Sequence, residues 1–255
     1  MNIGLVLSGG GLRGVAHIGV LKALEEHNIT ISHISGTSAG AIVGSLYAAG
    51  HSWQEILQFF KNVPLFNYKK YASNKPGFID TSKFHKELTP FFAQDNFDAL
   101  KLKLYITATN LITTELKTFN TGTLIKTILA SAAVPGIFSP VVIENNTYID
   151  GGILNNFPVE PLQKECSKII GVYVNPIPDV TTKDLKHSYQ VLNRAYDISF
   201  NNQSMLKFNL CDLVVYPKKL KEYSLFSIKN IDTIFNIGYE EAIKVLEQEQ
   251  QKLII

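Results

Sequence analysis

Apolar and polar positions follow two rhythms along this chain. Residues 3–8 form a short apolar run bounded by glycines, which predicts a buried strand. Residues 15–27 follow with Val15, Ile18, Leu21 and Leu24 at helical spacing and a polar close at Glu25-Glu26-His27-Asn28, so a helix is expected there. The unit then repeats: residues 31–35 read as a second strand, residues 38–49 as a helix of mostly small residues, and Gly50 as its stop. Residues 53–61 and 82–92 carry helical periodicity, the latter with Thr81 as expected N-cap, and a loop rich in Pro and aromatics lies between them. Residues 102–109 predict a strand, 111–119 an extended Thr-rich segment turning back on it, and 124–132 a helix. Strands at 141–144 and 147–150 are expected to form a hairpin turning at Asn145-Asn146, because Asn tolerates the left-handed conformation. Strands at 168–175 and 212–217 and helices at 185–208 and 231–250 complete the pattern. Strands alternating with helices predict the α/β class, a three-layer α/β/α fold on a mainly parallel sheet.

With 255 residues, 45% hydrophobic and 18% charged, the chain can bury one sizeable core, and its composition excludes disordered, collagenous and coiled-coil chains. No repeat or linker divides it, so residues 1–255 read as a single domain. Twenty-four basic residues nearly cancel 22 acidic ones, leaving no field to attract nucleic acid. Two cysteines outside any metal-ligand spacing and no leader-like N-terminus point to the cytoplasm, with membrane contact at most peripheral. Only Arg13 and Arg194 are arginines, which singles out an Arg placed in a special loop.

Such a loop follows the first strand. Ser8-Gly9-Gly10-Gly11-Leu12-Arg13-Gly14 satisfies G-x-G-x-x-G, yet the second strand ends Ile34-Ser35-Gly36-Thr37 without the acid that would hold a ribose, and no Gly-Lys-Ser/Thr follows. Clustered glycines at a helix N-terminus still let backbone N–H groups converge on an anion or a developing oxyanion. Gly36-Thr37-Ser38-Ala39-Gly40 is G-x-S-x-G at a strand-to-helix junction, the context of a nucleophile elbow. A serine nucleophile needs a base. Of six histidines only His187 follows Ser38 and an acid in the chain order of a triad hydrolase, and it sits in a lysine-rich stretch expected at the surface. Asp150 ends a predicted strand and precedes Gly151-Gly152, so its carboxylate should project from a strand tip.

Together, Gly9-Gly10-Gly11-Leu12-Arg13-Gly14, Gly36-Thr37-Ser38-Ala39-Gly40 and Asp150-Gly151-Gly152 resemble the three signature blocks of the patatin-like phospholipase family. Residues 130–140, Ala-Ser-Ala-Ala-Val-Pro-Gly-Ile-Phe-Ser-Pro, resemble the family's segment before the Asp block. The likeness spans about residues 3–158, and residues 159–255 are expected to complete the fold. It implies a Ser–Asp dyad with Ser38 as nucleophile and Asp150 as proton acceptor, an oxyanion hole from the amides of Gly9 to Gly14, no cofactor and no metal. The implied activity is a serine lipid acyl hydrolase of phospholipase A or lysophospholipase type, with a lipid or acyl ester as substrate. An ordinary Asp is a weak base for a hydroxyl, so burial that raises its pKa is expected. Arg13 is expected to fix the glycine loop. Three alternatives stay open: an acyltransferase or thioesterase, a regulatory or binding module with little turnover, and a triad using His187. Phe59, Phe60, Phe66, Tyr68, Tyr71 and Phe78 with Lys69 and Lys70, and Lys218, Lys219, Lys221, Tyr223 and Phe226, are candidates for lipid contact or for core anchors. The oligomeric state is not read from the sequence.

Overall fold

The computed structural model describes residues 2–63, 77, 79–225 and 230–253. Phe66, Tyr68, Lys69, Lys70, Tyr71, Phe78 and Phe226 lie outside the described residues. Strand β1 (Ile3–Leu7) is buried at every position, because Leu5 and Leu7 enter one core and Val6 a second on the opposite face. β1 pairs in parallel with β2 (His33–Gly36) on one side and with β7 (Lys168–Val172) on the other. β3 (Lys103–Asn110) and β8 (Leu213–Val215) extend the parallel sheet, and β4 (Leu116–Phe119), β5 (Val141–Ile143) and β6 (Asn146–Asp150) add antiparallel partners around β3. Setting β4 aside, the order is β5-β6-β3-β2-β1-β7-β8.

The larger core lies under α1 (Val15–Glu26), α2 (Ala39–Ala49), α3 (Trp53–Asn62), α5 (Leu124–Ser131) and α7 (Ile231–Glu249). The opposite face is covered more thinly, by Phe157, Val159, Leu162 and Phe208, the last just beyond α6 (Ser188–Met205). The expected three-layer arrangement is therefore present with unequal outer layers. α7 packs on α1: a methyl at Gly238 would overlap the Ala16 carbonyl, so the two helix backbones touch.

Two expectations are corrected. Residues 82–92 do not form one helix. A 3₁₀ turn at Thr81–Phe84, the four-residue α4 (His85–Leu88) and another 3₁₀ turn at Thr89–Phe91 replace it, because Pro90 cannot donate to a continuing helix. The N-cap is Asp80, since the Thr81 hydroxyl donates to the Ser139 carbonyl. The hairpin reverses at Glu144-Asn145, one residue early, with Glu144 at φ 53°. This register buries Tyr148 edge-on to Phe119.

Candidate active site

β2 and β6 both end beside the middle of β3, Gly36 opposite Ile106 and Asp150 opposite Ala108. The chain reversals that leave them carry Ser38 and Asp150 to the same place. Ser38 precedes α2 with φ 54° and ψ −121°, a conformation that costs a non-glycine residue on the order of 1–3 kcal/mol. Its surroundings hold it there. A side chain at Gly36 would come within 2.7 Å of the Gly40 carbonyl and one at Gly40 within 2.6 Å of the Ser8 carbonyl, so the elbow fits only with hydrogen at both positions. Thr37 donates its hydroxyl to the Asn155 carbonyl at 3.0 Å, leaving its oxygen to accept from Thr107 at 2.6 Å. The Ser38 amide donates to Ser131 Oγ at 2.8 Å, a link across 93 residues.

Asp150 is buried, and its carboxylate accepts the Gly152 N–H at 2.7 Å. Its own amide donates to the Ala133 carbonyl at 3.0 Å. Burial pushes the carboxyl up to about 6, against the lowering effects of hydrogen bonding by the Ser38 hydroxyl and the Gly152 amide. Gly151 lies against the Thr107 carbonyl, and Gly152 against the side chain of Asn156.

In the glycine loop the amides divide into two sets. Gly9 donates to the Asn156 carbonyl at 3.1 Å, Leu12 to Leu225 at 2.8 Å and Arg13 to Gly10 at 3.1 Å. Among the described residues the amides of Gly10 and Gly11 meet no acceptor, and both residues line the cleft that holds Ser38 and Asp150. Gly11 has φ +52° and lies against the Leu225 carbonyl, a conformation and a contact that demand glycine. Gly14 abuts Ala39, docking the loop on the elbow helix. Arg13 is buried. Its Nε donates to the Tyr223 carbonyl at 2.8 Å and its Nη1 to that of Pro176 at 3.4 Å. The guanidinium thereby ties the loop to two C-terminal segments, the fixing role expected of it.

Ser38 opens onto two cavities. An apolar pocket runs between α2, α3 and α5, with Ile42, Phe60, Phe84, Ile128 and Leu129 in its walls. A larger cleft holds Gly10, Gly11, Asp150, Asn156, Asn175 and Asp197. Val134 borders both, so residues 130–140 form part of the partition. Asp197, on α6, feels both arginines: burial raises its pKa and the charges of Arg13 and Arg194 oppose that rise. Three groups in this site have no role in the sequence reading. Ser131 holds the nucleophile's amide, Asn156 braces the glycine loop against the Asp turn, and Asp197 places a carboxylate in the cleft. Ser131 lies in the fourth recognised block, the one local signal that could have found it. His187 is exposed at the start of α6 and lines neither cavity. His17 is buried with Nε2 bonded to the Ser8 carbonyl at 2.8 Å, and burial lowers its pKa to about 4. Among the described residues no three His, Cys, Asp or Glu side chains gather as metal ligands.

A mainly parallel sheet whose second strand turns through a positive-φ serine into a helix defines the class, an α/β protein with nucleophile-elbow geometry. The chain belongs to the patatin-like phospholipase family, whose model matches residues 5–162. It is 28% identical over 268 residues to the lysophospholipase NTE1 of Meyerozyma guilliermondii, covering 93% of this chain and 19% of that protein. With the lysophospholipase NTE1 of Eremothecium gossypii it shares 32% identity over 212 residues, covering 75% of this chain and 13% of that protein. The chain thus spans less than a fifth of the length of these curated relatives. Its fold is similar to that of VipD from Legionella pneumophila, with a TM-score of 0.58, 15% identity and coverage of 97% of this chain and 67% of that one.

Proposed function

We propose that the protein is a serine lipid acyl hydrolase of lysophospholipase or phospholipase A type working through a Ser38–Asp150 dyad. One observation carries this reading: a strained serine faces a buried carboxylate whose pKa is raised to about 6, at the junction of an apolar pocket and a cleft that also carries carboxylates, asparagines and backbone amides. Ser38 Oγ bonds to the ester carbonyl carbon while its proton passes to Asp150. The amides of Gly10 and Gly11 receive the oxyanion, each donor contributing on the order of 3 kcal/mol to the transition state. The carbon–alkoxy bond then breaks, and the leaving oxygen takes the proton back from Asp150. Water, giving a proton to the same carboxylate, attacks the acyl carbon; the carbon–Oγ bond breaks as Ser38 Oγ takes the proton back from Asp150, and the free acid leaves. A pKa near 6 makes Asp150 a stronger base than an ordinary carboxylate while keeping it ionised at neutral pH. The apolar pocket takes the acyl chain and the cleft takes the alcohol half of the substrate.

The test is labelling by a fluorophosphonate probe of wild type, Ser38→Ala and Asp150→Asn side by side, followed by fatty-acid release from a lysophospholipid. Labelling confined to wild type, or much weaker in Asp150→Asn, with release of fatty acid, supports the reading. A folded wild type that neither labels nor turns over leaves a binding or regulatory role as the better description.

A further inference from the structure

Seven of the eleven large apolar side chains that stand exposed among the described residues fall between Val180 and Leu210. Within α6 they are not scattered. Val191, Ala195, Ile198, Asn202 and Met205 recur at spacings of four, three, four and three, so they share one helix face, and all five are exposed. Leu206, 79% exposed, continues the same side past the helix end. The face extends about 21 Å from Val191 to Met205 at 1.5 Å per residue.

This face carries no charge. The only residues of α6 that carry charge at neutral pH are Arg194, whose Nη1 donates to the Pro178 carbonyl at 2.7 Å, and Asp197, which lines the cleft. Charge gathers instead beyond the N-terminal end, where Lys183 and Lys186 are exposed and the one acid, Asp184, is spent on capping Thr181. The apolar face is also continuous with the cleft mouth. Leu192, 55% exposed, is a wall residue of the cavity that contains Ser38 and Asp150, and Leu154, also exposed, follows the cleft residue Ile153.

Water is a poor neighbour for such a face, and its position decides what covers it. A second copy of the chain seated there would close the entrance to the cleft. A lipid surface would bring its molecules to that entrance, with cations at the helix end meeting phosphates. We propose that the outer face of α6 is a docking face for a phospholipid bilayer surface, the helix lying flat at the headgroup boundary with Val191, Ile198, Met205 and Leu206 directed into the acyl region. This rests on the functional reading above, and it places lipid contact on a different segment from the aromatic loops that the sequence marks.

The experiment is flotation of the full chain with phosphatidylcholine vesicles, prepared with and without phosphatidylserine, for wild type, Val191→Glu/Ile198→Glu and Ile198→Trp. Alongside flotation, hydrolysis of a lysophospholipid carried in those vesicles is compared with hydrolysis of soluble p-nitrophenyl butyrate. Wild type should float, the double Glu variant should lose about 10-fold or more in partitioning and in vesicle-borne turnover, and its rate on the soluble ester should stay within about twofold. Ile198→Trp, which keeps the face apolar, should float as wild type does and shift its emission to the blue on adding vesicles. Wild type failing to float, or the Glu pair floating as well as wild type, overturns the proposal. So does a wild-type dimer by light scattering that the Glu pair converts to monomer without change in flotation, which would assign the face to self-association. Flotation that obeys these expectations in a protein inert to both esters and to the fluorophosphonate probe would sink the hydrolase reading and leave the docking face standing.

Discussion

The two cavities that meet at Ser38 are built differently. Helix side chains dominate the apolar pocket's walls, with Ile42 from α2, Phe59 and Phe60 from α3, and Ile128 and Leu129 from α5. Turns and residues of α6 make the cleft, whose walls are also largely apolar but which adds two amides without an acceptor among the described residues, two carboxylates and two asparagines. On the proposed reading the first recognises by area, which is roughly additive per methylene and indifferent to direction. The second recognises through groups that must point correctly, so small displacements matter there. On the proposed reading, binding and chemistry are divided between the two sides of one residue.

The sharpest way to break this comparison is at its centre. Ser38→Ala should abolish fluorophosphonate labelling and cost about 10⁴-fold or more in kcat, whereas Asp150→Asn should leave the serine in place but lose about 10²- to 10⁴-fold, measured by fatty-acid release. On the cleft side, Gly11→Ala puts a methyl on the Leu225 carbonyl at a positive φ. A displaced Gly11 amide should lower kcat by about 10²-fold with KM little changed, and Tm should fall with it. An equal loss from Gly14→Ala, which touches Ala39 rather than the cleft, would point to loop docking and not to a donor.

The next prediction separates stability from catalysis. The Asp150 carboxyl is raised from 3.8 to about 6 in the folded state, so the folded protein binds the extra proton between these values. Stability from this group is fully present below pH 4 and is lost as pH rises through 6. Asp150→Asn keeps an acceptor for the Gly152 amide and removes the buried charge. It should therefore be more stable than wild type by about 2 kcal/mol at pH 8 and no more stable at pH 4, read from denaturant midpoints. Activity of wild type should follow the opposite course, rising through an apparent pKa near 6 as the base ionises. Coincident stability curves for the two proteins at all pH values would show that Asp150 is not held in a desolvated site.

Legibility in the sequence follows the same division. The glycine loop, the elbow and the Asp-Gly-Gly turn each need particular residues within six positions, so their backbone demands are written locally. The sheet and most helices were readable from periodicity. Where neighbours decide, local signals failed: tertiary bonding took the Thr81 hydroxyl away from its capping role, and the β5–β6 register put the hairpin turn on Glu144-Asn145. Ser131, Asn156 and Asp197 belong to the same group. Their contributions arise from contacts across the fold, and of the three only Ser131, inside the recognised block at 130–140, has a local signal.

The smallest effect tests the apolar side alone. Ile42 is on α2, half-buried, with its side chain in the pocket wall near the start of the helix that Ser38 precedes. Ile42→Trp fills volume that a long acyl chain would occupy without touching the dyad, Gly10 or Gly11. Each methylene excluded from the pocket forfeits about 0.8 kcal/mol, so losing two of them lowers kcat/KM by about 10-fold. A 16-carbon ester should therefore lose at least that much against wild type, while a 4-carbon ester, which ends near Ser38, should keep its rate within about twofold. If both substrates lose equally, the bulk has disturbed the elbow and the division between area and direction fails at this position. If neither loses, the acyl chain lies in the cleft, and the two cavities exchange the roles assigned to them.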